Sequence, residues 1–246
     1  MKTQSCMNRL LWITLLVIGL SGCSEESSSS EENTESGTIQ DGDHTDNATV
    51  IQLNSSDQYQ TVEGIGGGIA NYENWYCQHP NKKELFDLIF KDLEISMIRI
   101  GNWYEKKISG ENPDILKQQK EIMDAATQRL GRSNFSVMMS NWLVAPDLID
   151  RPKEKGATLK RNNEGKYMYK EFGEWCRMTL KAYQEADMSP DYLSMMNEPD
   201  GDNSAGTKIR LGYGIDDSQK ANYGKALDAT YEAFKEVSKR PKLIGP

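Results

Sequence analysis

Short apolar segments and longer amphipathic segments alternate along most of this chain. Strands are predicted at residues 49–53, 60–65, 96–101, 135–140, 192–196 and 242–245. Most of these strands are nearly continuous apolar runs, and helical spacing of apolar residues separates them. That combination is typical of a parallel sheet whose two faces are both buried. It leaves two architectures, an open doubly wound sheet and a (β/α)8 barrel.

Four helices are predicted from capping residues and apolar spacing. The first begins at Asn81 and places Leu85, Leu88, Ile89 and Leu93 on its buried face. The others cover residues 112–130, 167–186 and 219–238. Together with the strands, they give about four β/α units between residues 49 and 246.

The ends of the predicted strands decide between the two architectures. In a (β/α)8 barrel, reactive residues follow the carboxyl ends of several different strands. The strand ends here are Gly66 to Gly68, Arg99 with Asn102 and Trp103, Asn141 with Trp142, and Asn197 with Glu198, and all but the glycine run carry polar or aromatic side chains. The sequence therefore predicts the α/β class and a (β/α)8 barrel, with only about the first four β/α units present.

Glu198 lies between an amide and a proline at the end of the fourth of these strands. Pro199 disfavours the helical region for the residue before it, so Glu198 is predicted to be extended, with its carboxylate in the mouth of the barrel. Asn197 offers both a donor and an acceptor, which recognition of a sugar hydroxyl requires. The alternative is a capping loop with a solvated glutamate.

A cation and several tryptophans accompany these strand ends. Arg99 lies inside an apolar strand, where an unpaired charge would be costly, so a partner is predicted. That partner belongs either to a substrate site or to a structural ion pair at the barrel rim. Trp103 and Trp142 either stack on a sugar ring or pack in the core. Trp175 is predicted to be a core residue.

The first 48 residues predict export and anchoring. Residues 1–22 have two basic residues and an apolar run of about ten residues, which is typical of a signal peptide. The run ends in Leu-Ser-Gly-Cys, which resembles a bacterial lipobox, so Cys23 is the predicted lipidation site. An ordinary secretory signal with a chance cysteine is the alternative. Residues 23–48 form an acidic, Ser-rich tether. The predicted location is the outer membrane or the cell surface.

Charge and composition exclude several other functions. The tether alone carries a charge of −8, equal to the net charge of the whole chain, and no basic surface for nucleic acid remains. With two histidines, no HExxH and no paired CxxC, neither a metal site nor a cofactor is predicted. The segment GIGGGIA lacks the last glycine of a nucleotide-binding motif. The sequence leaves open whether Cys77 and Cys176 pair.

Two segments carry a resemblance to a known family. Asn197-Glu198-Pro199 after the fourth strand is similar to the acid/base signature of clan A glycoside hydrolases. The segment around Gln60, Gly64, Gly66 and Gly67 resembles the opening of glycoside hydrolase family 30, with Ile65 in place of the usual aromatic residue. The resemblance covers residues 49–246, the first half of a barrel.

The resemblance implies retaining hydrolysis, which uses two carboxyl groups about 5 Å apart. The resemblance implies that Glu198 is the general acid/base, that Asn197 binds the 2-hydroxyl of the sugar at the cleaved bond, and that Arg99 orients the nucleophile. Trp142 would line the sugar site, with Asn102 and Trp103 as further substrate-binding candidates. The family's nucleophile follows strand seven, so it is expected beyond Pro246.

The predicted function is a retaining O-glycosidase that acts on a β-linked glycan of the xylan or β-glucan type, with no protein partner evident. One alternative is a non-catalytic glycan-binding lipoprotein derived from such a barrel. Another is an open-sheet ligand-binding lipoprotein, in which Glu198 would not group with Arg99 and Asn102. Four β/α units leave two open sheet edges, so the chain alone is expected to be inactive and prone to associate.

Overall fold

The computed structural model describes residues 56–110, 112–152, 154–200 and 209–245. Every element named below belongs to one compact unit of the chain, which begins at residue 59. The predicted signal peptide, Cys23, the tether and the strand at 49–53 lie outside the described residues.

Five parallel strands form the main sheet, and a separate pair of short strands follows the fourth. The strands in chain order are β1 Gly66–Gly68, β2 Met97–Asn102, β3 Ser136–Asn141, β4 Tyr192–Ser194, β5 Leu211–Gly212, β6 Ala221–Asn222 and β7 Lys242–Ile244. The order in the main sheet is β1-β2-β3-β4-β7, while β5 and β6 pair with each other.

Helices connect the strands of the main sheet. They are α1 Glu73–Gln78, α2 Lys82–Asp87, α3 Tyr104–Ser109, α4 Ile115–Leu130, α5 Tyr169–Glu185 and α6 Tyr223–Phe234. A π-helical turn at Leu88–Asp92 continues α2. Short 3-10 turns lie at Arg132–Asn134 and Pro146–Leu148. In this described part of the chain, no helix is both long enough and apolar enough to cross a membrane.

The strand order distinguishes the two predicted architectures. Each connection moves the chain one strand further in the same direction, and all pairs are parallel. A doubly wound sheet would reverse its strand order at a switch point, whereas a barrel does not. The predicted α/β class and the four β/α units followed by a fifth strand are therefore confirmed.

The core lies between the sheet and its helices. Ile98 and Ile100 of β2 and Val137 and Met139 of β3 are fully buried. Burying an aliphatic side chain of this size contributes about 1.5–3 kcal/mol relative to leaving it exposed. The face of α5 that packs here includes Trp175, as predicted. A smaller apolar cluster lies apart from this core: Ala70, Trp103, Ile115, Trp142 and Leu143.

Three predicted elements differ from the structure. The helix predicted at residues 219–238 covers only Tyr223–Phe234 and follows β6. Residues 60–65 are an exposed irregular segment, and the strand is the glycine run that follows them. In α2 and its π-helical turn, Phe86 and Phe90 are buried, whereas Leu88 and Leu93 are half or more exposed. The two phenylalanines pack on each other with ring centroids 5.9 Å apart. The buried face of this helix is therefore centred on the two phenylalanines, and of the predicted residues Ile89 packs against the core.

Candidate functional site

Polar side chains converge where β2, β3 and β4 end. Arg99 lies in β2, Ser140 and Asn141 end β3, and Asn197 lies three residues beyond β4. The parallel register pairs Gly101 with Ser140 at this edge. Carboxyl ends of parallel strands meet at one edge of a sheet, and this is the edge at which barrel enzymes hold reactive groups.

Arg99 connects the three strands. Its Nε donates to Ser140 Oγ at 3.0 Å, and its Nη2 donates to Asn197 Oδ1 at 2.6 Å. The guanidinium carbon lies 4.5 Å from the centre of the Trp142 ring. Burial lowers the pKa of Arg99, and the negative charge of Glu198 partly opposes this. The predicted partner exists, but these three contacts are neutral groups rather than an ion pair.

Asn197 is held on both its backbone and its side chain. Its backbone N–H donates to the carbonyl of Asn141 at 2.8 Å, while its side-chain oxygen accepts from Arg99. Asn141 Nδ2 donates to the carbonyl of Met195 at 2.9 Å. Two residues from the neighbouring strands thus fix the segment that leads from β4 into Glu198.

Glu198 does not have the predicted conformation. It is exposed and has φ of +44°, so the prediction that it ends a strand in an extended conformation is wrong. The chain turns here because the Asn197 N–H is bound to β3 while the carbonyl of Pro199 accepts from Leu211 at 2.7 Å. A left-handed non-glycine residue before proline is strained, and such strain concentrates at functional sites.

Asn102 ends β2 and Trp103 follows it, but both side chains are buried in the protein. Each is 1% exposed. Asn102 Nδ2 donates to Asn141 Oδ1 and to Thr179 Oγ1, both at 2.9 Å. The Trp103 ring packs against the Trp142 ring with centroids 5.4 Å apart. Their predicted direct contact with substrate is therefore not supported, because both side chains are already enclosed by protein.

A buried carboxylate holds Trp103. Glu73 Oε1 accepts from Trp103 Nε1 at 2.5 Å and from Gln119 Nε2 at 3.0 Å. Burial raises the pKa of Glu73, while the hydrogen bonds from Trp103 and Gln119 lower it. Tyr183 completes the network by donating to Gly101 O at 2.9 Å and accepting from the Trp103 backbone at 2.8 Å.

Sequence reasoning missed Ser140, Gln119 and Tyr183. Ser140 could have been found from the sequence, because it is the last residue of the predicted strand at 135–140. The structure pairs it with Gly101. Gln119 and Tyr183 come from α4 and α5, and nothing in the local sequence distinguishes them from other helix residues. Cys77 and Cys176, whose pairing was open, are both buried free thiols. Burial raises the pKa of each to about 12.

The comparisons with known proteins rest on structure. No protein-family model matches the sequence, and no curated protein matches it. The chain is similar to a glycoside hydrolase family 30 subfamily 8 xylanase from Clostridium acetobutylicum, with a TM-score of 0.50 and 15% identity over 78% of this chain and 44% of that one. It is similar to an endo-β-1,6-glucanase, with a TM-score of 0.57 and 14% identity over 78% and 46%.

A conserved exported protein from Bacteroides fragilis matches with a TM-score of 0.55 and 15% identity over 78% of this chain and 45% of that one. The chain spans less than half the length of each of these structures. At such low identity the likeness shows the fold alone. The chain has a fold like that of the family 30 glycosidases, as a partial barrel, which confirms the predicted resemblance at the level of fold.

Proposed function

We propose that residues 49–246 form the first half of the catalytic barrel of a retaining β-glycosidase, with Glu198 as its general acid/base. The observation that carries this proposal is the 2.6 Å hydrogen bond from Arg99 to Asn197, the residue directly before Glu198. It brings a cation, an amide and a carboxylate from two strands to the carboxyl edge of the sheet. The fold likeness to glycosidases supports the same function.

Each neighbouring residue has a proposed role. Asn197 binds a sugar hydroxyl next to the cleaved bond, and Arg99 orients the nucleophile. Trp142, which was predicted to line the sugar site, is only 8% exposed, so its proposed role is to hold Arg99 by the ring face on which the guanidinium lies. Asn102 and Trp103 act indirectly, because they hold Asn141 and Trp142 in place.

The proposed reaction needs a second carboxylate. In the retaining mechanism one carboxyl group protonates the leaving oxygen, and another about 5 Å away forms the covalent sugar intermediate. The chain covers 44% of the xylanase structure and 46% of the glucanase structure, so more than half of each lies outside the match. We propose that the nucleophile belongs to a barrel half equivalent to that remainder, so the activity is a property of the completed barrel.

The proposed substrate is a β-linked polysaccharide or oligosaccharide of the xylan or β-glucan type. One similar structure is a xylanase and another is an endo-β-1,6-glucanase. The proposed location is outside the cytoplasm, with Cys23 as a lipid anchor to the outer membrane or cell surface. A similar protein is described as exported, which agrees with this location. An anchored enzyme would meet polymers that are too large to enter the cell.

Replacing Glu198 with Gln tests the acid/base assignment. The full-length protein, alone and combined with the second half of a family 30 barrel, is assayed on xylan, β-1,6-glucan and aryl β-glycosides. Glu198→Gln keeps the shape but removes the proton donor, so polysaccharide hydrolysis should fall by roughly 10² to 10⁴. Aryl glycosides with good leaving groups need less protonation and should lose less.

The control for this experiment is Glu171→Gln, which changes an exposed carboxylate at the start of α5 and should leave activity unchanged. Equal loss on polysaccharides and aryl glycosides would contradict the acid role. Full activity of Glu198→Gln would remove this residue from the site. Glycan binding without hydrolysis by any combination would favour the non-catalytic alternative.

A further inference from the structure

Two tyrosines close to the acid/base segment have no role in the site described above. Tyr213 directly follows β5 and Tyr223 directly follows β6. The parallel register puts Gly212 beside Asn222, so the next position along each strand brings the two tyrosines together. Their ring centroids are 5.7 Å apart, with the rings tilted by 38°.

Hydrogen bonds attach this tyrosine pair to the residues that follow Glu198. The backbone N–H of Leu211 donates to the carbonyl of Pro199 at 2.7 Å. Arg210 Nη2 donates to the carbonyl of Asp200 at 3.1 Å. Burial and then the nearby Asp200 carboxylate raise the pKa of Tyr213. The pair therefore lies beside the acid/base segment, to which β5 is attached by one backbone and one side-chain hydrogen bond.

The two tyrosines differ in exposure and in hydrogen bonding. Tyr213 is 60% exposed, so much of its ring faces solvent. Tyr223 is 5% exposed, and within the described residues its hydroxyl oxygen is buried without a hydrogen-bond partner. Folded proteins leave few buried polar groups unpaired, and those that remain often bind a water or a ligand. Tyr223 thus holds an unsatisfied hydroxyl directly behind an exposed aromatic ring, where a ligand that shifts the Tyr213 side chain can reach it.

This combination matches the chemistry of a pyranose ring. The apolar C–H face of a sugar packs on an aromatic ring, and its hydroxyls both donate to and accept from a phenol. Charges of both signs adjoin the pair, since the carboxylates of Glu198 and Asp200 and the guanidinium of Arg210 lie on or beside the same segment, so the surroundings select no charged ligand. We propose that Tyr213 and Tyr223 form a subsite for one neutral sugar unit of the β-linked glycan, next to the bond that Glu198 protonates.

This subsite rests on the proposed function, because it binds a further unit of the same substrate. The test measures binding by titration calorimetry with two probes, β-1,4-xylotetraose and a β-1,6-linked glucotetraose. The full-length protein carries Glu198→Gln so that neither probe is consumed. Tyr213→Ala removes the stacking ring, and Tyr223→Phe removes only the unpaired hydroxyl.

At least one probe should bind, and both variants should weaken it. Tyr213→Ala should raise Kd by about 10-fold, and loss of one hydrogen bond in Tyr223→Phe should raise it by about 2- to 12-fold. The matched controls are Tyr231→Ala and Tyr231→Phe, which change a half-exposed tyrosine on α6 and should leave Kd within about twofold.

Urea unfolding separates a ligand role from a structural one. Tyr223→Phe removes a buried hydroxyl that has no partner in the protein, so its unfolding midpoint should be unchanged or higher while binding weakens. A lower midpoint with unchanged Kd would overturn the subsite and give this hydroxyl a structural role. Failure of both probes to bind, or unchanged Kd in both tyrosine variants, would also overturn it.

The subsite and the proposed function fail in different ways. Glu198-dependent hydrolysis with normal binding by the tyrosine variants would leave the glycosidase in place and remove the subsite. Tyrosine-dependent binding without Glu198-dependent hydrolysis in the completed barrel would keep the subsite and remove the glycosidase.

Discussion

Arg99 shows how this molecule keeps a cation inside a strand. Its guanidinium contacts a hydroxyl, an amide oxygen and a tryptophan ring face, which all lie within reach of one planar fork. Arginine suits this arrangement because its donors have fixed directions and its plane stacks on aromatic rings. The position of Asn197, and through it of Glu198, therefore depends on the shape of the arginine as well as on its charge.

Replacing Arg99 with Lys tests this dependence on shape. Lysine keeps the charge but cannot bond Ser140 and Asn197 in the same geometry while stacking on Trp142, so we expect a loss of about 1–3 kcal/mol in unfolding free energy. Urea unfolding measures it. Arg177→Lys is the control, because that exposed pair with Glu174 should change stability by less than about 1 kcal/mol. Equal effects in the two variants would show that charge alone matters at Arg99.

The candidate site was only partly predictable at the residue scale. A charge inside an apolar strand required a partner, and the strand ends identified Asn141, Trp142 and Asn197. The burial of Trp103 was not predictable, because Glu73 and Gln119, which bind it, lie on α1 and on α4. The left-handed backbone of Glu198 likewise depends on contacts from β3 and from Leu211, which are distant in the chain.

At the scale of elements, β1 is a strand made only of glycine. It pairs with β2 through its backbone, with Gly66 beside Met97 and Gly68 beside Arg99. A strand without side chains has no apolar pattern, so the sequence predicted the strand too early, at the neighbouring residues 60–65. The other main strands, which carry apolar side chains, were predicted to within about two residues.

The glycines of β1 are not equivalent, and this gives a matched pair of substitutions. A Cβ at Gly66 would lie 1.6 Å from the carbonyl oxygen of Met97, whereas a Cβ at Gly67 would meet nothing within 4 Å. Gly66→Ala must displace the backbone of β1 or β2, so we expect a loss of about 1–3 kcal/mol. Gly67→Ala should stay within about 0.5 kcal/mol. Thermal unfolding compares the two, and similar losses would contradict the close approach of β1 to β2.

At the scale of the whole molecule, the sequential order of parallel strands in the main sheet was the most predictable property. Alternating strands and helices, together with polar strand ends, restricted the chain to a barrel sheet, and the sequential strand order agrees. The pairing of β5 with β6 was not predicted, because each has two residues, β5 follows a polar loop, and β6 lies inside the helix predicted at residues 219–238. Pairing between such short strands is set by tertiary contacts rather than by local preference.

The lipid anchor is a prediction about the whole protein. If Cys23 carries the lipid, Cys23→Ala should move the protein from the membrane fraction to the soluble fraction. The variant has no acyl chains to insert into the membrane, and its polar tether does not bind there. Fractionation followed by immunoblotting measures this. Cys6→Ala is a matched control, since that residue lies in the predicted signal peptide and should leave the distribution unchanged. A membrane-bound Cys23→Ala variant would disprove the anchor.

The sheet order also sets the sequence of events when the chain folds. Paired residues of the main sheet are separated by about thirty residues or more, so no strand pair can close as a local hairpin. Helices α4, α5 and α6 need only neighbouring residues and form on a much faster timescale. In a newly made chain, the helices therefore form before Arg99, Trp142 and Asn197 come together at the site. In stopped-flow refolding, the circular dichroism signal of helices should precede the fluorescence change from burial of Trp103 and Trp142, and simultaneous changes would contradict this order.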